Sequence, residues 1–211
     1  MNAVDRPNVI VVDDDLSVRE GLDSLLRSVG LDVRLYGSVA DFLAAGLGEG
    51  PCCLVLDVRL PGQSGLDLQA DLVKLGVRLP IIFISGHGDI PMTVLAMKAG
   101  AVEFLVKPFR EQDLLNAINI GLELDRLRRA QERTNTILRQ RYNDLTPREQ
   151  EIMTLVVTGR INKQIAHGIG VSEITVKIHR SHVMRKMGAH SFADLVRMAD
   201  NLYPSTATWE I

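Results

Sequence analysis

Cysteine, net charge and long apolar runs are all scarce in this chain of 211 residues: it has two cysteines and a formal net charge of −2. Cys52 and Cys53 are neighbours, and neighbouring positions of a strand point to opposite faces. They are therefore poorly placed to bridge, and read as small core residues in a reducing cytoplasm. The near-neutral charge excludes a globally basic nucleic-acid coat and leaves any nucleic-acid contact to a local patch. No stretch approaches the roughly 20 apolar residues that span a bilayer, and no secretion signal precedes Val9. A soluble, cytoplasmic protein with no membrane partner is expected, long enough for two small domains.

What the chain does carry is a set of short apolar runs that end in charge. Val9-Ile10-Val11-Val12 runs into Asp13-Asp14-Asp15, Cys53-Leu54-Val55-Leu56 into Asp57, and Phe104-Leu105-Val106 into Lys107-Pro108. Such runs read as strands buried on both faces, the pattern of a parallel sheet flanked by helices. Helical patterns lie between them. Val18, Leu22, Leu25, Leu26 and Val29 recur at three- and four-residue steps before Gly30, Ser38 caps a helix through Ala45, and residues 65–75 and 90–99 are again helical. Residues 31–36 and 81–85 supply the remaining strands. The βα repeat predicts an α/β fold: a flavodoxin-like, doubly wound, five-stranded parallel sheet rather than a barrel, which needs about eight strands.

From Glu111 the fifth helix is expected to run on through Glu123-Leu124-Asp125-Arg126-Leu127-Arg128-Arg129 towards Tyr142, with only Gly121 to weaken it. Ile120, Leu124, Leu127, Thr134 and Leu138 fall on a loose a/d seam interrupted by polar positions. Two readings stay open, a solvated linker helix and a coiled-coil dimer contact. Thr146 as N-cap, Pro147 at the first helical position and Glu149 closing a capping box then open an all-α domain. Its helices are expected near 147–158, 162–169, 173–187 and 191–201. The expected division is residues 1–122, a linker helix over 123–143, and residues 144–211.

In doubly wound sheets ligands bind at the carboxyl ends of the strands. Carboxylates converging there repel one another unless a divalent cation sits among them, and hard oxygen donors suit Mg²⁺. A carboxylate such as Asp57 can ion-pair, cap a helix, or attack a phosphoryl group to give an acyl phosphate. Attack requires charge neutralisation. Mg²⁺ held by Asp14 and Asp57, with Asp13 acting through metal-bound water, and the Lys107 ammonium would provide it, while Ser85 offers a hydroxyl to a third oxygen. A cis Lys107–Pro108 bond would aim the lysine inward. Singly, Asp13–Asp15 could be an acidic turn, Ser85 a cap and Lys107 an ion pair; four strand ends acting together favour the phosphoacceptor.

These motifs, with Asp57 followed by Leu60-Pro61-Gly62-Gln63-Ser64-Gly65, then Ser85-Gly86-His87-Gly88 and Lys107-Pro108-Phe109, resemble the receiver domain of bacterial two-component response regulators. The resemblance implies phosphotransfer from a sensor histidine kinase to Asp57, metal binding by Asp13, Asp14, Asp57 and the Arg59 backbone carbonyl, and phosphate contacts from Ser85 and Lys107. It also implies that Phe104 turns inward as the Ser85 hydroxyl moves, although an ordinary core aromatic is the alternative. Arg59 and His87 stand where a side chain flanks the route of the hydrolytic water, or is merely solvated.

Residues 175–187, TVKIHRSHVMRKM, carry four formal positive charges, two histidines and no acid. A solvated basic face is the plain reading, but Asn162-Lys163-Gln164-Ile165-Ala166 and the turn at Val171-Ser172 lead into it as a helix-turn-helix does. Val176, Val183 and Met187 should face inward, leaving Lys177, Arg180, Ser181 and Arg185 outward. With Leu145-Thr146-Pro147-Arg148-Glu149 the segment resembles the LuxR-type DNA-binding domain of the NarL/FixJ class, in its FixJ and StyR branch. The resemblance implies base contacts from Lys177, Ile178 and Ser181, and phosphate contacts from Lys163, Thr175, Arg185 and Lys186. Its implied partners are promoter DNA, RNA polymerase and, once phosphorylated, a second copy of the chain, which would dimerise through the surface of the fourth and fifth helices, with the final helix as the dimer contact on DNA. Ser181 departs from relatives that carry lysine there. The expected function is a phosphorylation-activated transcriptional regulator and not an enzyme. An acid-phosphatase-like enzyme would want a second carboxylate two residues beyond Asp57, where Arg59 stands. A regulator that works without phosphorylation is the other alternative.

Overall fold

Five parallel strands in the order β2-β1-β3-β4-β5 form the central sheet of the computed structural model, which describes residues 7–48 and 50–202. The outermost parts of both expected domains, residues 1–6 and 203–211, lie outside the described residues. The strands are β1 (Asn8–Val12), β2 (Asp32–Tyr36), β3 (Cys52–Asp57), β4 (Ile81–Ser85) and β5 (Glu103–Val106). Alternating with them are α1 (Leu16–Ser28), α2 (Val39–Ala45), α3 (Gly65–Lys74), α4 (Ile90–Lys98) and α5 (Glu111–Asn143). This is the flavodoxin-like order, and its chain reversal falls beside β1, where the carboxyl ends of β1 and β3 lie together.

The pleat sends alternate residues to two cores. Ile10, Val12, Leu54, Leu56 and Phe83 join Phe42 and Leu68 on one face; Val9, Val11, Val55, Ile82 and Ile84 join Leu22, Leu26, Leu114 and Ile118 on the other. Cys52 falls in the first core and Cys53 in the second, both as free thiols, as their adjacency in a strand requires. Gly121 has a packing reason: a Cβ there would stand 2.6 Å from Cys53 Sγ, so only glycine lets α5 approach β3 this closely.

The chain divides into two compact units, Met1–Arg129 and Ala130–Ile211, so the expected linker of 123–143 is shared between them. In the first unit the buried Asp125 of α5 accepts the Cys52 N–H at 2.9 Å and pairs with Arg128 and Arg129. In the second, Leu138 lies in the core. The a/d seam is therefore not one face: Ile120, Leu124 and Leu127 are exposed, Thr134 is exposed, and Leu138 is buried.

The second unit also holds α6 (Pro147–Val157), α7 (Asn162–Ile169), α8 (Glu173–Met187) and α9 (Phe192–Leu202). The Thr146–Glu149 capping box forms as expected. Gly170 and Gly188 end α7 and α8 at φ of 70° and 71°, a left-handed conformation that glycine adopts without strain. Leu145, Ile152, Met153, Ile165, Val176, Val183, Met187 and Leu195 form its core. None of the described helices is long and apolar enough to cross a membrane.

Candidate functional site

Parallel pairing brings the ends of β1, β3, β4 and β5 to one edge of the first unit. Asp13 and Asp57 are buried there, and Lys107 spans them: its Nζ donates to Asp13 Oδ2 at 2.6 Å and to Asp57 Oδ2 at 2.8 Å. The second oxygens are also held, Asp13 Oδ1 by the Asp15 N–H at 2.9 Å and Asp57 Oδ1 by the Arg59 N–H at 3.0 Å. Asp14 is exposed, while Asp15 turns away to cap α1, accepting from Ser17 N–H and Val18 N–H. The acidic triplet thus divides its labour: Asp15 caps a helix and Asp13 and Asp14 face the site.

Burial pushes the Asp13 carboxyl above its ordinary range, and the neighbouring Asp57 charge adds to this against the pull of Lys107. Burial also opposes the Lys107 charge, but its two carboxylate partners outweigh that and raise its pKa. One ammonium between two buried carboxylates leaves a local excess of negative charge. The ligand oxygens of Asp13, Asp14 and Asp57 all lie within 4.8 Å of one another. Three hard anionic donors at that spacing fit a divalent cation of the Mg²⁺ kind.

The flanks of the site are ordered as well. A Cβ on Gly65 would collide with the Asp57 carbonyl oxygen, so the glycine allows α3 to start hard against the acidic residue. The Lys107–Pro108 bond is cis. Ser85 is fully buried, and its hydroxyl donates to His87 O at 2.9 Å while accepting the His87 N–H at 3.2 Å, so its hydrogen bonds lie within its own loop. Phe104 is turned inward, its ring 6.2 Å from that of Phe83 between centroids. Gly88 makes room for it: a Cβ there would meet Val106 Cγ2 at 2.7 Å and Phe104 Cε1 at 3.1 Å. The Arg59 and His87 side chains are exposed. Arg19, which the sequence did not single out, donates from Nη1 to the Asp13 carbonyl at 2.5 Å; as the fourth residue of α1 it sits where a helix-period argument gives no hint of a tertiary partner.

In the second unit α7 and α8 form the helix-turn-helix. Val176, Val183 and Met187 are buried and Lys177, Ser181 and Arg185 are exposed, as the apolar spacing predicts; Ile178 is exposed as well, whereas Arg180, expected outward, is half-buried. Lys163 is exposed on α7. Three other expected contact residues are engaged internally. Thr175 shares a hydroxyl hydrogen bond with the N-cap Ser172, Arg180 donates to Asn162 Oδ1 at 2.7 Å, and Lys186 donates to Glu149 Oε2 at 2.6 Å and to Asp144 O at 3.2 Å. Ile174, 73 % exposed, joins Ile178 as an apolar element of the outer stripe; it stands just before the basic run, beside Glu173, and carried no signal in the sequence.

Residues 9–119 match the family described as response regulator receiver domain, and residues 143–199 match the family described as bacterial regulatory proteins, luxR family. The chain is similar to nodulation protein W of Bradyrhizobium diazoefficiens, with 56 % identity over 194 residues, covering 92 % of this chain and 86 % of that protein. It is similar to the response regulator protein TodT of Pseudomonas putida, with 49 % identity over 203 residues, covering 95 % and 89 %. Among solved structures, the response regulator StyR aligns with a TM-score of 0.83 at 50 % identity, covering 92 % of this chain and 98 % of that one.

Proposed function

The chain belongs to the two-component response regulators that join a receiver domain to a luxR-family DNA-binding domain, a family of transcriptional regulators rather than enzymes. From that premise we propose that Asp57 accepts a phosphoryl group from a sensor histidine kinase, and that the phosphorylated chain dimerises on promoter DNA and activates transcription through RNA polymerase. The observation that carries this reading is the Lys107 ammonium poised between Asp13 and Asp57 at the strand ends.

An Asp57 oxygen attacks phosphorus as the P–N bond of the kinase phosphohistidine breaks; the imidazole nitrogen leaves with the electron pair and the product is an acyl phosphate. Each Asp57 oxygen accepts one hydrogen bond and keeps a lone pair for attack, and Lys107 would exchange its Asp57 bond for a bond to an incoming phosphoryl oxygen. Asp13, Asp14, Asp57 and the Arg59 carbonyl would hold Mg²⁺, which supplies electrostatic stabilisation of the transferring group. Arg19 and the Asp15 N–H fix Asp13 throughout. Ser85 reaches the phosphoryl group only by giving up its hydrogen bonds to His87, which makes its loop the element with two states; the inward Phe104 ring already occupies the space that Gly88 leaves. Arg59 and His87, both exposed beside the site, would tune hydrolysis of the acyl phosphate.

Lys177, Ile178 and Ser181 would read base edges in the major groove, and Lys163, Thr175 and Arg185 would hold phosphates. Arg180 and Lys186 reach DNA only by leaving Asn162 and Glu149. The functional division follows 1–122 for the receiver, 123–143 for the linker helix and 144–211 for DNA binding, in a protein acting in the cytoplasm. Self-association and promoter affinity measured with and without acetyl phosphate and Mg²⁺ test the proposal, with Asp57→Asn as control. Both should rise only with Asp57 intact. A lack of response would favour a regulator that works without phosphorylation.

A further inference from the structure

We propose that the C-terminal unit carries a transition-metal site, formed by Glu149 of α6 with His179 and His182 of α8, whose donor set suits Zn²⁺. The two histidines are three residues apart and so share one side of α8, their ring centroids 6.4 Å apart and their planes at 87°. Glu149 enters from α6. One ligand atom from each of the three residues lies within 4.8 Å of the other two. His182 Nδ1 stands 3.6 Å from Glu149 Oε1, beyond hydrogen-bond distance.

A second observation comes from His179. Its Nδ1 is shielded from solvent and meets no hydrogen-bonding partner, a state that buried polar atoms seldom occupy. A cation between the two helices would give it one. The carboxylate is prepared for the same role because its oxygens are divided: Oε2 accepts the Thr146 N–H at 2.8 Å and Lys186 Nζ at 2.6 Å, while Oε1 is turned to His182. Two imidazoles and one carboxylate are a three-ligand zinc set with a fourth position open to water, whereas Mg²⁺ prefers oxygen donors alone. The His182 side chain is 44 % exposed, which gives the ion an entry path. Lys186, beside the carboxylate, holds the affinity down without occupying Oε1.

Such an ion would tie α8, which presents Lys177, Ile178, Ser181 and Arg185, to α6 behind it. Titration calorimetry of the full, metal-stripped chain with zinc chloride in excess Mg²⁺ tests the proposal, alongside visible absorption of the Co²⁺-loaded protein. The acidic cluster at Asp57 is a competing zinc site, so Asp57→Asn is the control. One equivalent should bind, weakening about tenfold or more in His179→Gln and in His182→Gln and persisting in Asp57→Asn. Zinc should raise the melting temperature of the C-terminal unit in the parent and not in His182→Gln, whose metal-free melting temperature reports that it folds. Absence of uptake, uptake that survives both histidine substitutions, or uptake lost with Asp57→Asn would overturn the assignment.

Discussion

Each compact unit buries carboxylate against lysine, and the two arrangements have opposite consequences. In the first, one ammonium serves two buried carboxylates, and burial with like-charge repulsion lifts the Asp13 pKa. In the second, Glu149 has a lysine to itself. Burial pushes its carboxyl up, but Lys186 and the Thr146 cap outweigh that and bring it down to about 2. The same two kinds of charged group therefore give one cluster with an excess of negative charge on both carboxylates, and another whose lysine pair through Oε2 fastens α6 to α8 and leaves only the histidine-facing Oε1 of Glu149 without a cationic partner. Charge stoichiometry, more than burial, sets the direction in which each carboxylate is shifted.

The sharpest way to break this contrast is Lys107→Ala. It should slow Asp57 phosphorylation by acetyl phosphate about 100-fold or more, measured on phosphate-affinity gels, and should leave DNA binding by the unphosphorylated chain unchanged. Glu149→Gln should do the reverse: the C-terminal unit loses about 2 kcal/mol in urea unfolding, with phosphorylation at the parent rate. The pH dependence follows from the same group. Its folded pKa of about 2 lies below the ordinary 4.5, so its stabilisation is complete above 4.5, fades as pH falls towards 2 and is absent below. Acid titration followed by circular dichroism should show the parent losing stability over that window relative to Glu149→Gln.

Asp13→Asn carries the opposite sign. Because the Asp13 pKa is raised, its charge costs stability at neutral pH, and that cost is relieved as pH falls. The substitution should stabilise the first unit at pH 7, seen as a higher urea midpoint, while impairing Mg²⁺-dependent phosphorylation. Destabilisation would mean that the Lys107 pair outweighs the burial of Asp13, and the contrast between the units would collapse. The smallest effect is expected at the exposed Arg126–Glu123 pair, where Arg126→Ala should change stability by no more than about 0.5 kcal/mol.

Much of this was legible in the sequence because local rules dominate where it was legible. Apolar runs ending in charge placed the strands, since a parallel sheet covered on both faces needs uninterrupted apolar residues. The Thr146–Glu149 box and the Val176, Val183, Met187 spacing placed α6 and the inner side of α8, since caps and helical period are properties of a few consecutive residues. The stretch 123–129 was different. Its charges suggest a solvated linker, yet Asp125 is buried against the Cys52 N–H, a partner 73 residues away.

By itself, then, the sequence determined the element order, the five-stranded sheet, the placement of Asp13, Asp57, Ser85 and Lys107 at the strand ends, and the basic outer stripe of α8. These depend on side-chain type and period, which are written residue by residue. Only the tertiary structure decided which charges are spoken for: Lys186 by Glu149, Arg180 by Asn162, Asp125 by Arg128 and Arg129. It also decided that Gly121 and Gly88 are close-approach positions, and that Glu149 meets two histidines of another helix. Pairings of this kind depend on distances between elements, and no local pattern in the chain encodes those distances.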